Sequence, residues 1–180
     1  VRPDKGTDVF VDAMLALLPR YPDFTAVIAG LAQPKHAAYE TALKARIAAA
    51  GLSERVVFLG EVPAGEVHRW YQRCLVCVAC PRYEPFGLTP FEAAATGCAL
   101  VCSRTGAFEE LVTPGKQGWL VPTDDVPSLV HALETMLTDV QQTQAMGIRA
   151  RKEVESRFSL QTEADGIAAV YRQMWVATQP

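Results

Sequence analysis

No apolar run in this sequence approaches the roughly 20 residues that span a bilayer, and its start carries no signal-peptide pattern. Neither charge is in excess: 17 Lys and Arg face 20 Asp and Glu, a formal net charge of -3 that leaves no broad electrostatic footprint for nucleic acid. Histidine is scarce. His36, His68 and His131 are scattered without metal-ligand spacing and are assigned no role. The glycines of a Walker A loop, G-x-x-x-x-G-K-[ST], are missing, and so is the G-x-G-x-x-G of a dinucleotide-binding turn. There is no internal repeat, low-complexity tract or linker. At 180 residues, 49% of them apolar, the chain has the profile of one globular domain with a sizeable core.

Cysteine is present but in an odd number, five, outside any small loop-rich framework. Cys74, Cys77 and Cys80 form a C-x2-C-x2-C run that resembles part of an iron–sulfur signature. They lie in "CLVCVAC", which has the length and valine content of a buried strand, and no fourth ligand follows at useful spacing. Cys98 and Cys102 flank another apolar run. All five read as small buried hydrophobes in a reducing cytoplasm.

What the sequence does have is alternation. "TDVFVDAMLALLPRYP" carries an apolar stripe at Val9, Phe10, Ala13, Met14, Leu17 and Leu18, predicting an amphipathic helix ended by Pro22. "FTAVIAG" predicts a buried strand, and "AAYETALKARIAAAG" a helix closed by Gly51. "RVVFLG", "LVCVA", "CALVC" and "GWLV" predict four more strands. Helices are predicted for "AGEVHRWYQRC", for Leu88 to Thr96 and, as one turn, for "FEELV". Three amphipathic helices follow, around Pro127–Leu137, Gln141–Arg157 and Gln161–Trp175. Strands apolar throughout and alternating with helices imply an α/β fold: a doubly wound, Rossmann-like parallel sheet with helices on both faces.

In that architecture ligands sit beyond the carboxyl ends of the strands. The unusual residues fall there: Lys5-Gly6 before the first helix, Gly60-Glu61-Val62, Tyr83 to Thr89, and Gly106. The stretch "RYEPFGLTPFEAAATG" is the richest. Its E-x7-E spacing is weak by itself, since Glu155 and Glu163 repeat it with nothing between them that suggests a site. The filling says more. Gly87 permits close backbone approach, and the amides of Gly87, Leu88 and Thr89 at a helix N-terminus form a natural seat for phosphate. Lys5 can reach a phosphate as a compact point charge, or be a solvated surface lysine. Glu92 has two readings: a ligand carboxylate, or the N3 member of a capping box with Thr89 as N-cap and Pro90 at N1. Glu84 has no cap to serve.

"PDKGTDVFVDAM", "VVFLGEV", "RYEPFGLTPFEAAATGCALVCSRTGAFEELV" and "GWLVPTDD", in this order and spacing, resemble the C-terminal domain of family 4 retaining GT-B glycosyltransferases. The likeness runs over essentially the whole chain and is nearest the lipopolysaccharide-core mannosyltransferase branch. It implies a chain that is a single nucleotide-sugar binding domain over residues 1–180. The acceptor-binding N-terminal domain would be absent, and a central first strand would end about at Val1. The resemblance implies Glu84 as the catalytic-site carboxylate holding donor-sugar hydroxyls. Phe86, Gly87 and Leu88 become the backbone segment beside sugar and phosphates, and Thr89 a diphosphate contact. It also implies Glu92 on the ribose, Lys5 on phosphate and Val62 as a backbone contact to the base.

The implied donor is GDP-mannose, with no metal and no other cofactor. The implied partner is a lipopolysaccharide-core or lipid-linked acceptor held by the missing half, and the implied location is cytoplasmic, peripheral to the inner membrane. The family's phosphate arginine would lie upstream of Val1. Cys80-Pro81 and Gly106-Ala107 depart from the commoner residues. The exposed Tyr171, Met174 and Trp175 would mark a helix that crosses to the other domain. These 180 residues alone are expected to bind nucleotide weakly and transfer nothing. Three alternatives stay open: another nucleotide sugar such as UDP-glucose, a non-catalytic α/β binding module, and a two-carboxylate hydrolase. The last needs one carboxyl kept protonated, which a cationic phosphate site beside Glu84 does not favour.

Overall fold

A computed structural model describes residues 1–177. The five expected strands form: β1 (Ala26–Ala29), β2 (Val56–Gly60), β3 (Val76–Ala79), β4 (Ala99–Ser103) and β5 (Gly118–Val121). All pairings are parallel, and the strands make two ladders, β1-β2 and β3-β4-β5. Among the described residues no strand joins β1 to β3. One core nonetheless spans both ladders, since Ala26, Ile28 and Val56 pack in the same cluster as Ala99, Val101 and Val121.

The helices are α1 (Thr7–Leu17), α2 (Ala37–Ala49), α3 (Ala64–Arg73), α4 (Leu88–Ala95), α5 (Phe108–Leu111), α6 (Val126–Thr138), α7 (Val140–Arg157) and α8 (Leu160–Ala177). The apolar-throughout strands are explained by β4. Its Ala99 and Val101 face the cluster shared with α1, α2 and α6, while Leu100 and Cys102 face the cluster shared with α4, α5 and α7. Both faces are covered, so the period-2 pattern of a half-exposed strand has no reason to appear.

Helix ends follow local chemistry. Gly51, at φ 71°, closes α2 as expected, with Leu52 N–H donating to Ile47 O at 3.0 Å and Gly51 N–H to Ala48 O at 2.9 Å. α1 stops earlier than Pro22: the chain tightens to a 3-10 turn at Leu18–Arg20, because Pro19 can neither donate to the helix nor fit behind its last turn. All five thiols are free, with Cys74 half-buried and the other four buried. Cys98 Sγ donates to the carbonyls of Tyr71 (2.8 Å) and Cys74 (3.2 Å). Tyr171, Met174 and Trp175 on α8 are exposed as expected. No described helix is long and apolar enough to cross a membrane.

Candidate functional site

The carboxyl ends of β3, β4 and β5 deliver three loops to one place, against the turn Pro3–Gly6 that enters α1. Two glycines set how close they come. A Cβ on Gly6 would lie 2.0 Å from Cys80 O, so the α1 turn rests directly on the backbone leaving β3. A Cβ on Gly106 would lie 2.0 Å from Glu84 O, so the loop after β4 presses on the other side of the same segment. Ser103 Oγ donates to Pro81 O at 2.7 Å, and Glu84 N–H donates to Thr105 Oγ1 at 3.3 Å. The Glu84 loop is therefore held from both sides.

Lys5 and Glu84, separated by 79 positions, meet here: Lys5 Nζ donates to Glu84 Oε2 at 2.5 Å. The Glu84 side chain is 16% exposed and that of Lys5 42% exposed, so the carboxylate is recessed and the ammonium approaches from solvent. The carboxylate is occupied as an acceptor by Lys5, and nothing in this geometry favours the hydrolase alternative.

α4 begins at Leu88 with Gly87 as its N-cap, at φ 76° and ψ 99°, and no side chain caps it. The capping-box reading of Glu92 is thereby overturned. Thr89 and Pro90 lie inside the helix, and Glu92 is too far along it to serve as N3. The reason is Gly87, whose backbone angle favours glycine and which starts the helix at Leu88, as predicted, two residues ahead of the capping-box alternative. A Cβ there would also lie 2.7 Å from Glu84 Cγ and from the Phe108 ring. The result is an exposed first turn at Leu88 and Thr89 whose N–H groups have no intrahelical acceptor.

Glu92 is exposed on α4, and its Oε2 accepts from the Tyr71 hydroxyl of α3 at 3.4 Å. Burial, with Cys77 and Glu92 nearby, pushes the Tyr71 phenol above its ordinary value, so it remains a donor. Phe86, 49% exposed, stacks on Phe91 at 5.0 Å and braces the loop from outside. Val62 is half-buried on the loop after β2, in the other ladder. Of the residues singled out in the sequence, the structure thus joins Lys5 to Glu84 and sets Gly87, Leu88 and Thr89 directly after Glu84. Val62 is not joined to them and lies on the loop after β2. Among the described residues no group of three His, Cys, Asp or Glu side chains is placed to hold a metal ion.

Sequence reasoning passed over Arg82, Asp8 and Asp124. Arg82 Nη2 pairs with Asp8 Oδ2 at 2.8 Å and with Asp124 Oδ1 at 2.7 Å. Tyr39 of α2 donates to Asp8 Oδ1 at 2.9 Å and accepts from Asp8 N–H at 2.9 Å. Burial would push the Asp8 carboxyl up, but the hydrogen bonds from Arg82 and Tyr39 bring it below its ordinary value.

A family profile described as "Glycosyl transferases group 1" matches residues 1–153. The lipopolysaccharide core biosynthesis mannosyltransferase LpcC of Rhizobium leguminosarum bv. viciae is 43% identical over 174 residues, covering 97% of this chain and 49% of that protein. This chain therefore spans about half the length of that relative. Among solved structures, the C-terminal domain of the group 1 glycosyl transferase family protein LpcC from Francisella tularensis superposes with a TM-score of 0.85 at 27% identity. It covers 89% of this chain and 83% of that one. Anabaena Alr3699/HepE, solved in complex with UDP-glucose, gives a TM-score of 0.85 at 27% identity over 96% of this chain and 46% of its own. A fold of parallel ladders between helix layers, a profile match over most of the chain and these relatives agree: the chain belongs to the group 1 glycosyl transferases, in the C-terminal domain of the GT-B fold.

Proposed function

We propose that this chain is the donor-binding half of a retaining, metal-independent glycosyltransferase that moves mannose from GDP-mannose to a lipopolysaccharide-core or related glycolipid acceptor. The observation that carries the reading is the contact of Lys5 with Glu84 beside the uncapped start of α4. A cation and a row of free N–H groups suit a diphosphate, while carboxylates on either side of them suit hydroxyls.

In this reading Lys5 and the Leu88 and Thr89 amides offset charge on the departing diphosphate. Glu84 accepts hydrogen bonds from the sugar and Glu92, oriented by Tyr71, from the ribose. Val62 meets the base, and Phe86 and Gly87 shape the wall beside the sugar. The bond from the anomeric carbon to the diphosphate breaks as the bond to the acceptor oxygen forms on the same face, and the acceptor hydroxyl's proton passes to the departing diphosphate oxygen. Residues 1–180 form one domain, and the acceptor is held by the other half of a longer protein working in the cytoplasm, peripheral to the inner membrane. Mannose is favoured by the name of the Rhizobium relative.

Calorimetric titration with GDP, UDP and ADP tests the donor, with GDP expected to bind best. The longer protein should transfer mannose from GDP-mannose, and these 180 residues alone should transfer none. A second reading, a UDP-sugar donor, is favoured by the UDP-glucose complex of Alr3699/HepE. A clear preference for UDP would establish it in place of mannose.

A further inference from the structure

The geometry points to Arg82 as a positioning residue for the donor site: it locks the Lys5 turn, the Glu84 loop and the loop after β5 into one arrangement. The inference rests on the donor-site reading above and assigns a role to a side chain that reading does not use.

Arg82 lies two residues before Glu84, and its partners flank Lys5 at Pro3, Asp4 and Asp8 and include Asp124 in the loop after β5. Its backbone N–H donates to Asp4 O at 2.9 Å. Its Nη1 donates to Pro3 O and to Asp8 Oδ1, the latter at 3.0 Å. Its Nη2 reaches Asp8 Oδ2 at 2.8 Å and Asp124 Oδ1 at 2.7 Å. One guanidinium thus serves the turn before α1, the first turn of α1 and the loop after β5, while its own backbone is the loop after β3.

Exposed ion pairs are ordinarily worth little. This one differs in three ways. The contact to Asp8 is bidentate, which fixes direction as well as distance. Asp8 is itself held by Tyr39 from α2, so the anchor does not swing. Asp124 is, among the described residues, the one non-glycine at positive φ (58°), and it spends its carboxylate on Arg82. A residue kept in a sparsely populated conformation marks a place where the surroundings over-determine the backbone. The Gly6–Cys80 contact leaves the turn little slack to settle elsewhere, and Cys80 Sγ adds a hydrogen bond to Gly6 O at 3.3 Å. Lysine in place of Arg82 keeps one charge but loses the planar fork that meets Pro3, Asp8 and Asp124 together.

The test combines amide hydrogen exchange of the 180-residue chain with GDP and pyrophosphate titrations of R82K, K5A and the R82K/K5A double variant. Exchange at residues 3–8 and 82–87 is expected to rise about tenfold in R82K while β4 keeps its protection. GDP and pyrophosphate binding should weaken about tenfold in R82K, but less than about twofold when K5A is already present. Unchanged exchange in those segments, or an equal loss in both backgrounds, overturns the proposal. K5A with unaltered affinity for both probes removes Lys5 from the phosphate and so sinks the donor-site reading; the exchange result then decides the lock by itself. Should R82K fold poorly, D124N keeps a residue tolerant of the left-handed backbone and removes one partner of the fork. It should loosen residues 82–87 and weaken GDP about threefold, and no change in either contradicts the proposal.

Discussion

On the proposed reading, Lys5 and Glu84 each hold the group that a donor would have to displace. In the free protein they satisfy one another at 2.5 Å, so a diphosphate arriving at Lys5 competes with the carboxylate. E84Q is therefore expected to bind GDP up to about fivefold more tightly, the scale of a half-exposed ion pair, while the longer protein loses sugar transfer. Weaker GDP binding by E84Q would show that Glu84 supports the phosphate seat and does not compete with it. Asp8 offers a pH test. Its folded carboxyl is held below the ordinary value, so its contribution to stability is complete at neutral pH and is lost as the pH falls through about 4 and below. D8N should lower the melting temperature at pH 7 and flatten its decline in acid, measured by circular dichroism; parallel acid limbs would contradict this. Lys5 and Glu84 were singled out in the sequence because they stand in loops near helix starts, and Glu92 because it could serve as ligand or cap; their roles came from the resemblance. Arg82 was not singled out, since a loop arginine has no spacing signature and its three partners lie up to 79 positions away.

At the scale of elements, single glycines decide how layers meet. Gly147 lies inside α7, where replacing glycine by alanine would ordinarily stabilise a helix by about 1 kcal/mol. Here a Cβ would lie 1.9 Å from Gly97 O, at the turn joining α4 to β4. The clash is with backbone and cannot be relieved by a rotamer change. G147A is accordingly expected to destabilise by about 1–3 kcal/mol in urea unfolding, and a stabilised variant would show that α7 can stand further off the sheet. Thiol chemistry probes the same layers. Burial pushes the Cys98 thiol to about 12 and raises Cys74 as well, yet only Cys74 is half-exposed. A thiol reagent should modify Cys74 first in the native protein and all five after denaturation. β4 was legible because residues buried on both faces leave a continuous apolar run, and β2 and β3 because they are apolar throughout although most of their residues are only half-buried. The division of the strands into two ladders leaves no local mark in those runs; the expectation of a central strand ending about at Val1 came from the resemblance alone. The start of α4 at Leu88 was legible too; what failed was the capping-box alternative, since "TPFE" spells a box but Gly87 is the N-cap.

At the scale of the molecule, a chain half the length of its Rhizobium relative keeps a core that runs across both ladders. α8 extends this body with a row of exposed apolar side chains, Leu160, Ile167, Val170, Tyr171 and Met174, on one helix. If the longer protein places its other half there, oxidative footprinting should mark Met174 in the 180-residue chain and spare it in the longer one. Equal oxidation would leave α8 outside any such contact. The central claim concerns the opposite feature, the loops at the carboxyl ends of the strands. Its most direct measurement is a titration of the isotope-labelled chain with GDP, followed by amide NMR. The account predicts shifts gathered at Lys5–Thr7, Val62, Gly87–Thr89 and Glu92, and their loss in K5A. Shifts gathered elsewhere on the chain, or no response at these amides under saturating GDP, would contradict it.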